Sequence, residues 1–255
     1  MFNKYRAICL DLDGTVYRGT EPITEAVTFI ANAQANGVDP YFITNNSSMT
    51  RLQVQEKLAS FGVKADEQRI MTSAIAAAKY CASHHSGASV MMIGETGLHE
   101  ALVAEGMRLT DANPDVVVVG IDRDITYAKL AEANLALRAG AMFIATNGDK
   151  ALPMERGLVP GNGSFVKLLE MASGCKPVYV GKPESHMLGF IQQANGYSKE
   201  EMLMVGDNYD TDIQAGIRFG IDTIHVAGGV TSRDELLLKE QQPTYHLQTL
   251  LDWGQ

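Results

Sequence analysis

Residues 7–15 read Ala-Ile-Cys-Leu-Asp-Leu-Asp-Gly-Thr. Four apolar residues in succession have the length of a strand, and a parallel strand buried on both faces shows such a run without alternation. The run ends on Asp11 and Asp13, where a doubly wound sheet places its ligands, at the carboxyl ends of its strands. Two carboxylates after a buried strand are costly unless something positive meets them, and a hard cation with oxygen ligands does so. Gly14 permits the sharp turn that brings backbone close to a ligand. Asp-x-Asp-Gly also opens a calcium loop, but that loop needs Glu at its twelfth position, and the twelfth residue from Asp11 is Pro22. A solvated turn or a helix cap is the structural alternative for the same residues.

Outward from this strand the sequence alternates short apolar runs with amphipathic stretches. Further strands are expected at 39–44, 89–93, 115–119, 141–146, 177–180, 202–205 and 222–226. Helices are expected at 24–36, 50–61, 74–83, 97–105, 127–139, 163–173, 186–195, 211–220 and 233–239, with Thr24 capping the first and Gly37 stopping it. The alternation predicts an α/β protein with mainly parallel sheets. About ten strand signals exceed one comfortable open sheet, so two sheets and two domains are expected.

The 255 residues carry a net charge of -9, which argues against nucleic acid or a membrane surface as partner but leaves room for an anionic substrate beside a cation. Cys9, Cys81 and Cys175 form no C-x-x-C pair and read as small residues in a reducing compartment. The first residues are polar and enter a strand at once, unlike a secretory signal, and no apolar run has membrane-spanning length. A cytoplasmic location is the expectation.

Three more polar clusters follow predicted strands. Thr44-Asn45-Asn46-Ser47-Ser48 offers a hydroxyl, two amides and backbone N–H groups, a good phosphate cradle. Gly181-Lys182-Pro183 fixes a lysine that can act as a point charge for a phosphate. Gly206-Asp207-Asn208-Tyr209-Asp210-Thr211-Asp212 is a second acidic cluster, again suited to a metal, although Asp210 and Asp212 also suit a helix start. Each is weak alone; a polar turn, a surface lysine or an acidic cap would account for it. Their order is the specific feature.

Taken together, DLDGT, FITNN, GKP and GDNYDTD resemble the four motifs of the haloacid dehalogenase superfamily. The resemblance implies a Rossmann-like doubly wound core at residues 1–76 and 177–255. Residues 77–176 would be an inserted α/β cap, placed between the second and third motifs. That placement, with TNNS, IATN and VGKP, is similar to the NagD-like phosphatases, among them the 4-nitrophenyl and pyridoxal phosphate phosphatases. Leu152 stands where the pyridoxal phosphate phosphatases carry histidine, which speaks against that vitamin as the main substrate.

The resemblance also implies roles. Asp11 is the nucleophile that forms an aspartyl-phosphate, and Asp13 is the acid and base. Mg2+ is held by Asp11, the main-chain carbonyl of Asp13, and Asp207, with Asn208 and Asp212 around it. Thr44, Asn45, Asn46 and Lys182 bind the substrate phosphate. Asp13 must start protonated, so its pKa is expected to be raised by burial and by Asp11. Asn147 and Asp149, in the long cap loop 147–163, are the candidates for substrate contact. The expected substrate is a small phosphorylated metabolite, a sugar phosphate or nucleoside monophosphate, with 4-nitrophenyl phosphate as a surrogate. Relatives of this kind often pair, so a homodimer is compatible. The alternatives are a phosphotransferase or mutase of the same superfamily and a non-catalytic phosphate-binding module.

Other features read as structure. His84 and His85 are adjacent and point apart on a helix, and His99, His186, His225 and His246 stand alone in the sequence. Gly94-x-x-Gly97 is a weak phosphate-loop signal, and Gly228-Gly229 reads as a turn that could border the site.

Overall fold

The computed structural model describes residues 2–154 and 156–254. The chain is α/β and divides into two compact units, each built on a parallel sheet. The first comprises Met1–Thr44, Leu52–Met71 and Lys182–Gln255; the second comprises Asn45–Arg51 and Thr72–Gly181. The segment expected as an insertion, 77–176, lies within the second unit, which begins earlier, ends later and takes in residues from 45–51.

The first unit's sheet runs in the order Tyr245–Leu247, Asp222–Val226, Met202–Gly206, Ala7–Asp11, Asp39–Thr44, Ile70–Thr72. Ala7–Asp11 is buried at every residue and pairs in parallel with Met202–Gly206 on one side and Asp39–Thr44 on the other. From this central strand the chain builds outward in both directions, so the order reverses between Ala7–Asp11 and Met202–Gly206. At such a reversal the connections leave to opposite faces and open a crevice at the carboxyl ends. Leu10 faces Val205 in the register, which sets Asp11 and Asp207 at the mouth of that crevice. Each fully buried Ile or Leu side chain beneath it contributes about 1.5–3 kcal/mol, and Ile8, Leu10, Leu203 and Val205 are all at 0% exposure.

Two expectations here need correction. Thr24 does not cap the first long helix: it is the first helical residue of Thr24–Ala35, and Ile23, in extended conformation, occupies the cap position without a side-chain bond. The helix expected at 211–220 starts instead as a π-helical turn, Tyr209–Ile213, before the α-helix Gln214–Phe219. π turns recur at functional sites because the wider turn redirects a side chain. Here the Asp212 carboxylate reaches back to accept from the Asn208 N–H at 3.1 Å.

The second unit's sheet runs Val178–Tyr179, Met142–Ala145, Val116–Val119, Ser89–Ile93, Arg108–Leu109, with parallel pairing. Met91, Ile93, Val117, Val119, Phe143 and Ala145 form one core with Ala133 and Leu137 of helix Tyr127–Arg138 and Val166 and Leu169 of helix Asn162–Ser173. The long loop expected at 147–163 contains an antiparallel hairpin, Ala151–Met154 with Gly157–Pro160. Leu152 lies in it, paired with Val159. Cys9 and Cys81 are buried and Cys175 is half-buried; all three are free thiols. Among the described residues, no helix is long and apolar enough to cross a membrane.

Candidate active site

The first unit gathers three carboxylates at its crevice. Oxygens of Asp11, Asp207 and Asp212 all lie within 4.8 Å of one another, and each residue is buried. Lys182 reaches the same place from the start of the chain's return to this unit. Its ammonium donates to Asp11 Oδ1 and, at 2.7 Å, to Asp212 Oδ1. Lys182 itself is 3% exposed. One lysine therefore faces three acids in a place that water hardly reaches.

The protonation balance follows. Burial and then the nearby Asp212 push the Asp11 carboxyl well above the usual carboxylate range, against the pull of Lys182. Burial and Asp212 likewise raise Asp207. Burial alone would lower the Lys182 ammonium, but Asp11 and Asp212 outweigh it and hold the lysine above its ordinary value. A cluster short of positive charge, with only oxygen donors, is what a hard divalent cation fits. The triad can hold one.

Asp207 is fixed from several sides. Its Oδ1 accepts from the Thr15 hydroxyl at 3.0 Å and its Oδ2 from the Val230 N–H at 2.7 Å. Gly14 and Gly229 lie against it: a Cβ built on either would come within 2.5 Å or 1.9 Å of Asp207 Oδ2. Gly14 is needed twice over, since its φ of 96° is also in the left-handed region. The acids of the second cluster are themselves ordered by Asn208, whose side chain accepts from the Asp210 N–H at 3.0 Å.

Asp13 sits two residues beyond Asp11 in a tight loop closed by the Gly14 N–H to Tyr17 carbonyl bond at 2.8 Å. Its residue opens to solvent, yet the protein mass around the carboxyl raises its pKa through burial, with Lys57, the Tyr17 hydroxyl and Lys182 opposing. The expected contribution from Asp11 does not set this balance; burial does. Thr44 ends its strand buried, next to Ile43, which pairs with Asp11.

Asn45 and Asn46 belong to the second unit, and there their side chains build the loop. Asn46 Oδ1 accepts from the Ser48 and Met49 N–H groups, both at 2.9 Å. The Asn45 carbonyl accepts from the Ser73 hydroxyl at 2.6 Å and from Asn147 Nδ2 at 2.8 Å. Asn45 Nδ2 donates to both carboxylate oxygens of Asp149 at 3.3 Å. Asn147 and Asp149 are thus brought together with Asn45. Ser47 Oγ accepts from the Ile121 N–H at 3.1 Å, and the Ser48 carbonyl from the Gly97 N–H at 2.9 Å. This explains Gly97: a Cβ there would lie 2.3 Å from the Met49 carbonyl oxygen, so the glycine admits the chain's own loop, while Gly94 makes room for the Leu98 side chain.

Comparison with known proteins is consistent with this geometry. Residues 8–108 match the model of the haloacid dehalogenase-like hydrolases, and residues 179–253 match a second hydrolase model of the same type. The chain is 47% identical over 249 residues to the 5'-nucleotidase YutF of Bacillus subtilis, covering 98% of this chain and 97% of that one. It is 44% identical to the acid sugar phosphatase of Staphylococcus epidermidis, covering 96% and 95%. The structure of a thermostable NPPase double mutant from Geobacillus stearothermophilus superposes with a TM-score of 0.93 at 46% identity, covering 98% of each chain.

The chain belongs to the haloacid dehalogenase-like hydrolases. Within them it is a phosphatase of the 4-nitrophenyl phosphatase branch, with an α/β domain inserted between the second and third motifs. In this haloacid dehalogenase-like phosphatase, sequence reasoning missed several supporting residues. Thr15 stood inside the first motif without a role, although a hydroxyl four residues after a carboxylate was a usable signal. Ser73 and Asn162 lie one residue outside the helices expected at 74–83 and 163–173, and they begin the helices Ser73–His84 and Asn162–Ser173. Asn162 Nδ2 in fact donates to the carbonyls of Val119 and Asn147, at 3.2 and 2.9 Å, and so pins the residue that holds Asn45.

Gly229 provides a sharp test of the Asp207 cradle. Gly229→Ala should push the Asp207 carboxylate aside and weaken divalent-metal affinity about 10–100-fold in the variant that still folds. Calorimetric titration with Mg2+ measures this, and wild-type affinity in the variant would show that the cradle is not needed.

Proposed function

We propose that this enzyme is a Mg2+-dependent phosphomonoesterase that works through an aspartyl-phosphate on Asp11, and that its substrates are small phosphorylated metabolites. The observation that carries the reading is the buried contact of Lys182 with Asp11 and Asp212, beside Asp207. A carboxylate so placed has one oxygen held by a lysine and the other able to attack phosphorus in line. Bound by Asp11, the Asp13 main-chain carbonyl and Asp207, Mg2+ would supply the positive charge that lets a carboxylate approach a dianionic phosphoryl group.

The protein's own residues account for the rest. An oxygen of Asp11 bonds to phosphorus as the ester oxygen leaves, and Asp13 gives that oxygen its proton. Asp13 then takes a proton from the water that attacks the aspartyl-phosphate, which releases inorganic phosphate and restores Asp11. Lys182 and the Thr44 hydroxyl meet the phosphoryl oxygens; for the Asn45 N–H and for Asn46 the same role is what the resemblance implies. Asp212 orients Lys182, and Asn208 orders the turn that carries Asp212. For Asn147 and Asp149, the hydrogen bonds to Asn45 support a role in holding the phosphate-binding loop, beside the substrate contact that the resemblance implies.

The core assigned to this chemistry is 1–76 with 177–255, and 77–176 is the cap that selects substrates. The names of the relatives, a nucleotidase and an acid sugar phosphatase, support nucleoside monophosphates and sugar phosphates as the classes to test first. Free cysteines fit a reducing compartment, and the cytoplasm is the location proposed.

Hydrolysis of 4-nitrophenyl phosphate should stop when EDTA removes the metal and return when Mg2+ is added in excess. A panel of phosphate esters with Mg2+ would then rank the substrates. Turnover that persists in EDTA after dialysis would rule out the metal-dependent reading.

A further inference from the structure

His225 and His246 stand 21 positions apart, but the parallel register of Asp222–Val226 with Tyr245–Leu247 sets them opposite each other. Their rings stack at 5.2 Å with 25° between planes, and their Nδ1 atoms are 3.1 Å apart. The other end of His225 points at the metal-binding loop: Nε2 lies 3.1 Å from the main-chain oxygen of Asp207. That oxygen also accepts from the Thr231 N–H at 3.1 Å.

The donors and acceptors can be assigned without seeing a hydrogen. A carbonyl oxygen only accepts, so His225 Nε2 carries a proton. In a neutral imidazole the other nitrogen is then an acceptor. In that state the proton between the rings comes from His246 Nδ1, 3.1 Å away. Burial is the largest influence on both rings and lowers their basicity; His246 adds to this at His225 and Arg233 at His246, while the main-chain oxygen of Asp207 and the Asp212 carboxylate oppose it at His225. A buried imidazole is costly unless both ends are satisfied, and His225 is at 0% exposure. An apolar side chain would fill the same strand position without that demand. What the histidine adds is a donor aimed at Asp207.

We propose that His225 and His246 are positioning residues for the metal-binding loop. His246 fixes the tautomer of His225, and His225 holds the Asp207 peptide so that its carboxylate faces Asp11 and Asp212. This rests on the reading of the triad as a metal site. Hydrogen-bonded supports of this kind alter metal affinity through the ligand they hold.

The test is Mg2+ binding by calorimetric titration of the EDTA-stripped, folded protein, read separately from turnover. His225→Leu should weaken Mg2+ binding about 10–100-fold, and His225→Gln, whose amide can still donate, should recover it to within about 3-fold of wild type. His246→Phe should fall between them. At saturating Mg2+ the KM for 4-nitrophenyl phosphate should stay unchanged. In the wild type, two-bond 15N–1H correlations should show His225 protonated at Nε2 and His246 at Nδ1. A folded His225→Leu with wild-type Mg2+ affinity, or His225 found as the Nδ1–H tautomer, overturns the proposal. If His225→Leu does not fold, His246→Phe and the wild-type spectrum decide it. A wild type that binds no Mg2+ refutes the metal reading itself and takes this proposal with it, whereas an unaffected variant refutes only the histidine relay.

Discussion

Asp11→Asn is expected to lower turnover of 4-nitrophenyl phosphate at saturating Mg2+ by about 10,000-fold or more. Asparagine keeps the shape of the side chain but offers no carboxylate to form the proposed covalent intermediate. The same substitution should not cost stability in metal-free protein. Asp11 has its pKa raised in the folded state, chiefly by burial and by Asp212. A carboxyl raised on folding loses favourable energy once the pH climbs above its unfolded value, so at neutral pH ionised Asp11 works against the fold. Neutral Asn removes that cost, and the melting temperature in EDTA should match or exceed the wild type. Steady-state kinetics and thermal unfolding check the two halves. Undiminished turnover would remove Asp11 from the role of nucleophile.

Lys182→Met should have the opposite effect on stability. Methionine fills the same space but leaves Asp11 and Asp212 buried without the cation they both contact. Removing one partner of a buried ionic cluster typically costs about 3–5 kcal/mol, because the remaining charge is stranded. The lysine has its pKa raised on folding, so its contribution is fully present below its unfolded value and is lost only as pH rises through the folded one. The deficit should therefore be flat across neutral pH. Turnover should fall about 1,000-fold if Lys182 meets the phosphoryl group as proposed. Urea unfolding in EDTA should show the full deficit, and millimolar Mg2+ should narrow it, since a bound cation meets the same acids. An unchanged midpoint in EDTA would mean that the cluster tolerates its own charge.

The fold was legible where the chain is apolar and central. The strands at 39–44, 89–93 and 222–226 and the helix at 186–195 have the bounds read from the sequence, because burial on both faces or a clean 3.6-residue stripe leaves little choice. The site was legible where several strand ends carry polar clusters, since a doubly wound sheet brings such ends together. What escaped lies at edges. Tyr245–Leu247 is half-buried along its length, so it has no continuous apolar run. Ala151–Met154 and Gly157–Pro160 each contain a proline and form a hairpin with mostly exposed residues. The His225–His246 pair depends on the register of that overlooked edge strand. Neither residue carries a local signal, and only the pairing gives them a shared purpose.

The allocation of Asn45–Arg51 to the second unit has a consequence for how such enzymes diversify. The chain passes between the units four times, at Thr44–Asn45, Arg51–Leu52, Met71–Thr72 and Gly181–Lys182. The inserted domain is thus no cassette with a single entry and exit. Ser47, Ser48 and Asn45 hold to Ile121, Gly97 and Asn147 by hydrogen bonds. A graft of 72–181 from a relative would meet this heptapeptide with foreign partners. Recombination between lineages should therefore succeed when both pieces travel as one, so that 45–51 and 72–181 are inherited as a linked pair.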